Sequence, residues 1–376
     1  MVNLSFKATC ACGEDWQSVA AQCLQNLGNE PTTANFGFLY ITDPLAPWLN
    51  NLLEELRTQT GVKDWIGTVG AGICYTGLEV YDEPAAAIML TTLPADSYRL
   101  LPAGMEAMST MLEENRNWIA EQAVHFAIVH GDPRNTDITR IIESLSTELD
   151  PGFLVGGLSS AHDHRFMQQI AGQLYEDGVS GVLLSSRIPV ITGLTQGCTP
   201  MAARHTITRS EGKILAEIDG RPALDVFKED IGEELAKDIS RVGDYIFLGL
   251  PVAGSDTGDY LVRDVMGIDA DEKLLMIGAN LENNTPIMFC RRDDDTARED
   301  MIRMLTDLRK RANGPIKGGI YYTCLGRGRN QFGEGSKELK LIREQLGDFP
   351  LVGFFAYGEI AHNRVYGYTG VLTLFL

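Results

Sequence analysis

The stretch Phe36-Gly37-Phe38-Leu39-Tyr40-Ile41-Thr42-Asp43-Pro44 decides the fold, because its pattern occurs twice in the chain. A second apolar run, residues 125–133, also ends in Asp-Pro. Both runs are followed by apolar residues three and four positions apart, the spacing of one helix face. These residues are Trp48, Leu52, Leu53 and Leu56 in the first copy and Ile138, Ile141, Ile142, Leu145 and Leu149 in the second. Each helix then leads to a strand with a glycine, Gly67 or Gly156, at the same distance from the Asp-Pro pair. The sequence therefore predicts a repeated β-α-β unit.

A further strand, 85–90 in the first copy and 179–185 in the second, extends the unit to β-α-β-β. The β-α-β part is expected to be a parallel crossover and the added strand to be antiparallel. A third copy occupies residues 319–375, where a long loop, 326–335, replaces the Asp-Pro turn. Loops longer than a connection requires are often functional.

The predicted fold class is α/β, with two domains, mixed sheets built from repeated β-α-β-β units, and helices packed on the sheets. A chain of 376 residues exceeds one ordinary core. We place the boundary near Gly220, so that residues 1–220 hold two repeats and residues 221–376 hold the third. The region before the third repeat is expected to contain short strands, a helix within 222–240, and a second helix opened by a capping box at Thr296.

Charge and composition exclude several functions. The 51 acidic and 32 basic residues give a formal net charge of −19, which repels nucleic acid. No apolar run has the length of a membrane span, and residues 1–7 lack a signal-peptide core. Seven cysteines without framework spacing indicate free thiols, so we expect a cytoplasmic protein without membrane insertion. No zinc-binding spacing is present, so no metal site is predicted.

The loop Cys324-Leu325-Gly326-Arg327-Gly328 is the strongest candidate site. Its glycines could free backbone N–H groups to form an anion-binding nest beside Arg327. The positive charge would also lower the thiol pKa and make Cys324 reactive. The alternative is that Cys324 packs as a small apolar residue and Arg327 forms a surface ion pair.

A second candidate pair, Tyr357 and Glu359, follows the last apolar strand before the C-terminal one. The carboxylate could accept an amine or hydroxyl from a ligand, or pair with Arg327; alternatively it satisfies backbone donors in a turn. The segment His162-Asp163-His164 has a spacing that could chelate, but without further ligands it is interpreted as a surface turn.

Several of these segments together resemble the FIST family of sensory proteins. The residues that carry the resemblance are 193–200, 205–212, 217–224, 324–328, 350–360 and 366–372. The resemblance spans roughly residues 30–376, with 1–220 as the FIST N-type domain and 221–376 as the FIST C-type domain. Tyr357 stands where the family often has a smaller polar residue.

The resemblance implies a sensor that binds a small molecule, with amino acids proposed as ligands, and acts on a signalling partner such as a histidine kinase or cyclase. The residues predicted to bind the ligand are Cys324, Gly326, Arg327, Gly328, Tyr357 and Glu359. Some members are haem proteins that sense nitric oxide and regulate a histidine kinase; the alternative haem ligands here are His130, His205 and His362. A third hypothesis is an enzyme with Cys324 as nucleophile.

Overall fold

The computed structural model describes residues 4–28, 33–149, 152–201, 203–236, 245–252 and 260–376. The predicted α/β class with mixed sheets is confirmed. The chain divides into two compact units, the first formed by residues 1–195 and 301–376 and the second by residues 196–300. The boundary predicted near residue 220 lies within the second unit. The division into domains 1–220 and 221–376 stays a prediction.

The elements are numbered along the chain. The segment before the first repeat contains β1 (Phe6–Cys12) and α1 (Trp16–Leu27). The first repeat contains β2 (Phe36–Thr42), α2 (Leu49–Thr60), β3 (Asp64–Gly70), β4 (Gly72–Tyr75), β5 (Leu78–Tyr81) and β6 (Ala85–Thr91). The connection and second repeat contain β7 (Tyr98–Leu101), α3 (Met105–Glu114), α4 (Arg116–Glu121), β8 (Phe126–Gly131), α5 (Ile138–Glu148), β9 (Phe153–Leu158), β10 (Gln169–Ala171), β11 (Leu174–Tyr175) and β12 (Val179–Leu184).

The remaining elements comprise the middle region and the third repeat. The middle region contains β13 (Val190–Gln196), β14 (Cys198–Pro200), β15 (His205–Glu211), β16 (Ile214–Ile218), β17 (Arg221–Pro222), α6 (Ala223–Ile231), α7 (Glu233–Ala236), β18 (Ile246–Pro251), β19 (Tyr260–Asp269), β20 (Leu274–Ile277), β21 (Pro286–Arg292) and α8 (Asp294–Arg311). The third repeat contains β22 (Gly318–Cys324), α9 (Arg329–Phe332), α10 (Lys337–Leu346), β23 (Leu351–Ala356), β24 (Glu359–His362), β25 (Arg364–Tyr366) and β26 (Thr369–Phe375).

The three repeats have the same strand pairing. β2 lies parallel to β3, β8 to β9 and β22 to β23. The closing strands β6, β12 and β26 lie antiparallel to β2, β8 and β22. The predicted β-α-β-β unit is confirmed in this respect, but it is incomplete, because each repeat also contains a two-stranded hairpin before its closing strand.

Each hairpin pairs with the sheet of a different repeat. The first repeat's β4–β5 extends the sheet of β23, the second's β10–β11 extends that of β3, and the third's β24–β25 extends that of β9. The three six-stranded sheets consequently run in one order: β1-β6-β2-β3-β10-β11, β7-β12-β8-β9-β24-β25 and β13-β26-β22-β23-β4-β5. The first unit is therefore a pseudo-threefold body in which every repeat completes another.

One glycine in each second parallel strand makes this pairing possible. A Cβ atom at Gly67, Gly156 or Gly353 would lie 1.7 Å from a backbone oxygen of the neighbouring strand. The three oxygens belong to Leu39, Val129 and Tyr321. No side chain fits at such a distance, so the recurrent glycines of the sequence are a packing requirement.

The next residue after each of these three carbonyl groups contributes to one shared cluster of aromatic side chains. Tyr40, His130 and Tyr322 are fully buried, with ring centroids 5.5–6.0 Å apart. The Tyr40 hydroxyl lies 2.7 Å from the Tyr322 hydroxyl and 3.2 Å from Nε2 of His130. Buried hydroxyl and imidazole groups require such partners, and this aromatic centre fixes the three repeats around one axis.

Helices cover the outer faces of the sheets with the predicted apolar spacing. In α5, Ile138, Ile141, Ile142 and Leu145 are buried as expected. In the first repeat Trp48 was expected on the buried helix face, but it ends the preceding 3₁₀ turn and is 50% exposed, with Leu49 buried instead.

The second unit contains a closed antiparallel barrel. Its strands pair in the cycle β21-β15-β16-β20-β19-β18 and back to β21. Its core includes residues of α6, with the Phe227 ring 4.9 Å from that of Phe289. Residues 237–240 of the predicted helix range 222–240 lie outside the described residues. The predicted capping box is wrong, because α8 begins at Asp294 and the Asp293 carboxylate accepts the Thr296 N–H at 3.0 Å.

Candidate functional site

A cavity of about 440 Å³ lies at the carboxyl ends of the parallel strands of the first unit. Its walls are Ala71, Tyr81, Asp82, Ser160, Ala161, His162, His164, Leu325, Arg329, Asn330 and Tyr357. Ala71, Ser160 and Tyr357 come from the loops after β3, β9 and β23, so all three repeats contribute. Open α/β sheets bind ligands at this end of their strands, because loops there are free to carry polar groups.

Hydrogen bonds between the repeats hold the strand ends in place. The Ser160 hydroxyl accepts the Ala71 N–H at 3.0 Å and donates to the Phe355 carbonyl oxygen. The Tyr357 N–H donates to the Leu158 carbonyl oxygen at 3.0 Å. The floor of the cavity is therefore fixed by the fold before any ligand binds, which reduces the entropic cost of binding.

Charges of both signs line one wall of the cavity. The Arg329 guanidinium donates to the Asp82 carboxylate and lies 4.5 Å above the Tyr81 ring. This hydrogen bond lowers the pKa of Asp82, so the carboxylate stays ionised. The side chains of Arg329 and Asp82 are 36% and 58% exposed, so both remain accessible to a ligand.

A histidine fixed by a carboxylate lies on another wall. Asp43, in the turn after β2, accepts both the backbone N–H of His162 at 3.0 Å and its Nδ1 at 2.7 Å. Because a carboxylate only accepts, Nδ1 carries a hydrogen, and Nε2 is the second polar atom of the ring. Among the described side chains, no group of three or more His, Cys, Asp and Glu residues is arranged to hold a metal ion.

Cys324 does not have the surroundings of a nucleophile. The residue is 8% exposed, and burial, reinforced by Glu359, raises the pKa of its thiol well above the usual range. The positive charge of Arg327 lowers the thiol pKa, but by less than burial raises it. The prediction that Arg327 activates the thiol is therefore wrong, and the geometry gives the nucleophile hypothesis no support.

The backbone amides of the loop after β22 are already used within the protein. Leu325 and Arg327 donate to the carbonyl oxygens of Ala356 and Cys324 at 3.0 and 2.8 Å. The Gly326 N–H donates to Sγ of Cys324 at 3.5 Å, and that of Gly328 to a buried glutamate at 2.8 Å. The predicted anion-binding nest is wrong, because these hydrogen bonds consume its donors.

The two glycines of this loop allow close packing beneath the cavity. A Cβ at Gly326 would lie 2.9 Å from the Tyr368 ring. Gly328 has φ +53°, and a Cβ there would lie 2.1 Å from the Tyr81 hydroxyl oxygen. Their role in the structure is to bring Tyr81 and Tyr368 against the backbone.

Arg327 is buried in an ion pair with a residue that the sequence pattern did not indicate. Its Nε donates to Glu338 Oε1 at 2.8 Å, and both side chains are fully buried. Glu338 also accepts the Tyr321 hydroxyl at 2.6 Å and the Thr323 hydroxyl at 3.1 Å. The pair therefore ties α10 to β22, in place of the surface ion pair or the Glu359 pair considered from the sequence.

Glu359 is a fully buried residue of β24 that faces Thr369. Its Oε2 accepts the Thr369 N–H at 3.1 Å and the Thr369 hydroxyl at 2.7 Å. Its Oε1 has no hydrogen-bond partner among the described residues. Burial raises the pKa of Glu359 to about 8, so the group carries a proton at neutral pH.

Of the six predicted ligand-binding residues, only Tyr357, which is 61% exposed, lines the cavity. The long loop predicted to be functional does contribute Arg329 and Asn330. Sequence reasoning missed Tyr81 and Asp82, which gave no signal. His162 and His164 were interpreted as a surface turn, although their i, i+2 spacing was a signal that could have placed them in the site.

The three histidines considered as haem ligands do not line this cavity. His130 is enclosed by the aromatic rings of Tyr40, Tyr322 and Phe354. The two ring nitrogens of His205 lie 2.6 and 2.9 Å from the carboxylates of Asp219 and Asp230. His362 is exposed, with its ring against Phe153. The surroundings of His130 and His205 do not fit an axial haem ligand. Haem ligation by His362 stays a prediction.

None of the described helices is both long enough and apolar enough to cross a membrane.

Comparison with known proteins identifies the family. A family model of the FIST N domain matches residues 35–221, and one of the FIST C domain matches residues 223–362.

Two mycobacterial proteins are similar over most of the chain. The uncharacterized protein Rv0628c of Mycobacterium tuberculosis is 30% identical over 342 residues, which cover 87% of each chain. The uncharacterized protein Mb0898c of Mycobacterium bovis is 28% identical over 326 residues, covering 83% of this chain and 82% of the other. Together with the two domain matches, this extent of similarity shows that the chain belongs to the FIST family, whose domains are sensory domains of signal transduction.

Proposed function

We propose that this protein is a cytoplasmic sensor that binds an amino acid or a similar small zwitterion in the strand-end cavity. The observation that carries the proposal is the presence of Arg329 and Asp82, opposite charges in one small cavity built by all three repeats. An α-amino acid carries a carboxylate and an ammonium group within one small molecule. Arg329 is suited to the carboxylate, and Asp82 to the ammonium group.

The remaining walls supply recognition of the side chain of the ligand. Tyr81 and Tyr357 offer aromatic surface, and His162, held by Asp43, offers a polar ring nitrogen. A volume of about 440 Å³ lies within the range of small-molecule pockets. The haem-based and thiol-based alternatives have no comparable observation in their favour.

A thermal-shift screen of the purified chain against the common amino acids tests the proposal. A ligand present at about one hundred times its Kd stabilises a protein by about 2.7 kcal/mol, so the melting temperature should rise by several degrees. The rise should disappear in Arg329→Ala and in Asp82→Ala but persist in Arg140→Ala, which removes an exposed ion pair on α5. A stabilisation that survives both cavity variants would contradict the proposed site.

The signal is proposed to pass to a separate protein such as a histidine kinase or cyclase. Purification of the tagged chain from its native cells, with and without the stabilising amino acid, tests this step. A kinase or cyclase retained in only one of the two conditions supports it. Recovery of the same proteins in both conditions, and equally with Arg329→Ala, would contradict it.

A further inference from the structure

His205, on the barrel strand β15, lies between two carboxylates. Its Nδ1 is 2.6 Å from Oδ2 of Asp219, in the turn between β16 and β17, and its Nε2 is 2.9 Å from Oδ2 of Asp230, on α6. The side chains of His205 and Asp230 are 16% and 11% exposed. The other oxygen of Asp219 accepts the Thr206 N–H at 2.8 Å. One imidazole ring thus connects three segments of the second unit.

These contacts determine how many protons the ring carries. An ionised carboxylate only accepts hydrogen bonds, and a neutral imidazole has a single N–H group, so a neutral ring can donate to only one of the two carboxylates. Hydrogen bonds to both require a second proton. Because an imidazole is more basic than a carboxyl group, that proton lies on the ring. His205 is consequently an imidazolium, with both of its N–H groups donating.

Other charges in this part of the barrel do not replace that of the ring. The two carboxylates influence His205 more strongly than Arg204, next to it in the chain, or Lys228, on α6. Opposite His205 on β21 lies the uncharged Ile287. Neighbouring charged groups form ion pairs of their own: Arg209 with Glu217, Arg221 with Glu229, and Lys273 with Asp225. The imidazolium is therefore the cation that lies between the two carboxylates.

We propose that His205 is the cation of a pH-dependent clamp that holds α6 against the barrel of the second unit. With two protons on the ring, its N–H groups bridge the helix and the β16–β17 turn. When the ring loses one proton, one carboxylate faces a nitrogen lone pair, and two negative charges remain without a cation between them, which is costly for partly buried groups. The apolar contacts of α6 persist, including the Phe227 ring against Phe289. Deprotonation therefore loosens the helix without releasing it.

The titration of His205 agrees with this geometry. Burial by itself lowers the pKa of the imidazole, but Asp219 and Asp230 together outweigh burial and raise the pKa above its ordinary value of 6.5. Burial also raises the pKa of Asp230, which makes its carboxylate a stronger acceptor. Because the clamped form binds the proton more tightly than the loosened form, the clamp is complete below about pH 6.5 and is lost as pH rises through the higher pKa.

Nitrogen-15 NMR of the full chain, labelled in its histidines, tests the protonation state directly. The ring signals that are absent from His205→Gln belong to His205. At about pH 6 both of its nitrogens should give the shifts of N–H groups, and the pKa obtained by titration should lie above 6.5. A pKa at or below 6.5, or one nitrogen without a proton at about pH 6, would overturn the clamp.

Amide hydrogen exchange measures the clamp in the unmodified protein, should His205→Gln fail to fold. Exchange of α6 relative to α5, after correction for intrinsic rates, should accelerate above about pH 6.5 by up to about tenfold per pH unit and then level off. A ratio that does not change with pH would overturn the clamp. Because neither measurement uses a ligand, failure of the amino acid screen leaves these outcomes unaffected and concerns only the proposed function.

Two adjacent positions of α6 provide matched variants for the exchange measurement. In Asp230→Asn the side-chain amide can accept from a ring N–H or donate to a bare ring nitrogen, so the pH dependence of α6 exchange should largely disappear. Glu229→Gln makes the same change one residue earlier, in an exposed pair with Arg221, and should retain that dependence. Loss of the pH dependence in both variants, or in neither, would overturn the role of the contact between His205 and Asp230.

Discussion

The aromatic centre and the strand-end cavity are both assembled from all three repeats, but their polar groups differ in exposure to solvent. At the centre, Tyr40, His130 and Tyr322 are fully buried and contact one another. At the cavity, Arg329 and Asp82 are partly exposed although they also pair. The same pseudo-symmetry therefore produces a closed structural core and an accessible polar surface, which we propose as the recognition site.

This difference shows why a chemically reactive residue type is a weak guide to the site. Burial raises the pKa of the Cys324 thiol, and it lowers that of the His130 imidazole to about 3. Each shift favours the neutral form, as expected when a low-dielectric interior penalises charge. Residues that can meet a ligand lie only a few positions away in the sequence but in loops beyond the strand ends.

The largest expected effect concerns the glycines that align the parallel strands. Gly353→Ala places a Cβ 1.7 Å from the Tyr321 carbonyl oxygen, so the third sheet must separate. We expect a loss of about 4 kcal/mol or more in the free energy of unfolding, measured by urea denaturation. Gly61→Ala is the control, because Gly61 has φ +72° but open space around it; its cost should be about 1–2 kcal/mol. Equal costs would contradict the packing argument.

The second-largest loss of stability is expected when the buried ion pair of Arg327 and Glu338 is broken. Arg327→Met leaves Glu338 charged and without its guanidinium partner, which should cost about 3–5 kcal/mol of stability. The double variant Arg327→Met with Glu338→Gln removes the charge while keeping an acceptor for Tyr321, so it should recover much of the loss. Urea denaturation at neutral pH measures both. A double variant no more stable than Arg327→Met would show that the charge is not the cause.

Glu359 should make stability depend on pH. Its pKa is about 8 in the folded protein against 4.5 when unfolded, so the folded state retains a proton that the unfolded state releases. The stabilisation is complete below about pH 4.5 and is lost as pH rises through about 8, at about 1.4 kcal/mol per pH unit. In Glu359→Gln this contribution to the slope should disappear. Gln169, at the corresponding register position of the second repeat, shows that the architecture accepts glutamine there.

Urea denaturation between about pH 5 and 8 measures that slope in both proteins. The difference between the two slopes isolates Glu359 from the other titrating groups. Parallel curves for the unmodified protein and Glu359→Gln would contradict a protonated Glu359 in the folded state.

The smallest stability effect is expected at the cavity. Arg329→Ala removes a partly exposed ion pair and should change the free energy of unfolding by less than about 1 kcal/mol. Arg327 and Arg329 are two residues apart, so Arg327→Met and Arg329→Ala compare the loss of a buried arginine with the loss of an accessible one. A loss for Arg329→Ala as large as that for Arg327→Met would place Arg329 in the core.

The sequence predicted the repeats well because their signals are local. The Asp-Pro turns, the helix spacing and the recurrent glycines lie within about forty residues of one another and directly determine the β-α-β units. The hairpins were missed since their strands have only two to four residues and pair with a distant repeat. For example, Gly353 pairs with Cys74, almost three hundred positions earlier.

The candidate site was predicted only in part for the same reason. The loop 326–335 stood out by its length, and Tyr357 by its place after a strand. Asp82 and His162 lie far from that loop in the sequence. They line the same cavity only because each hairpin pairs with the sheet of another repeat and the three strand ends come together. Cys324 and Glu359 carried suggestive chemistry, but the residue types alone do not reveal that the fold buries them.

The central claim is that ligand recognition belongs to the cavity and not to the aromatic centre. Calorimetric titration of the amino acid that stabilises the protein, into His130→Phe and Arg329→Ala, tests it most directly. The account predicts an unchanged Kd for His130→Phe, in which Tyr40 and Tyr322 still pair, and binding at least about tenfold weaker for Arg329→Ala. Weakened binding in His130→Phe with normal binding in Arg329→Ala would contradict it.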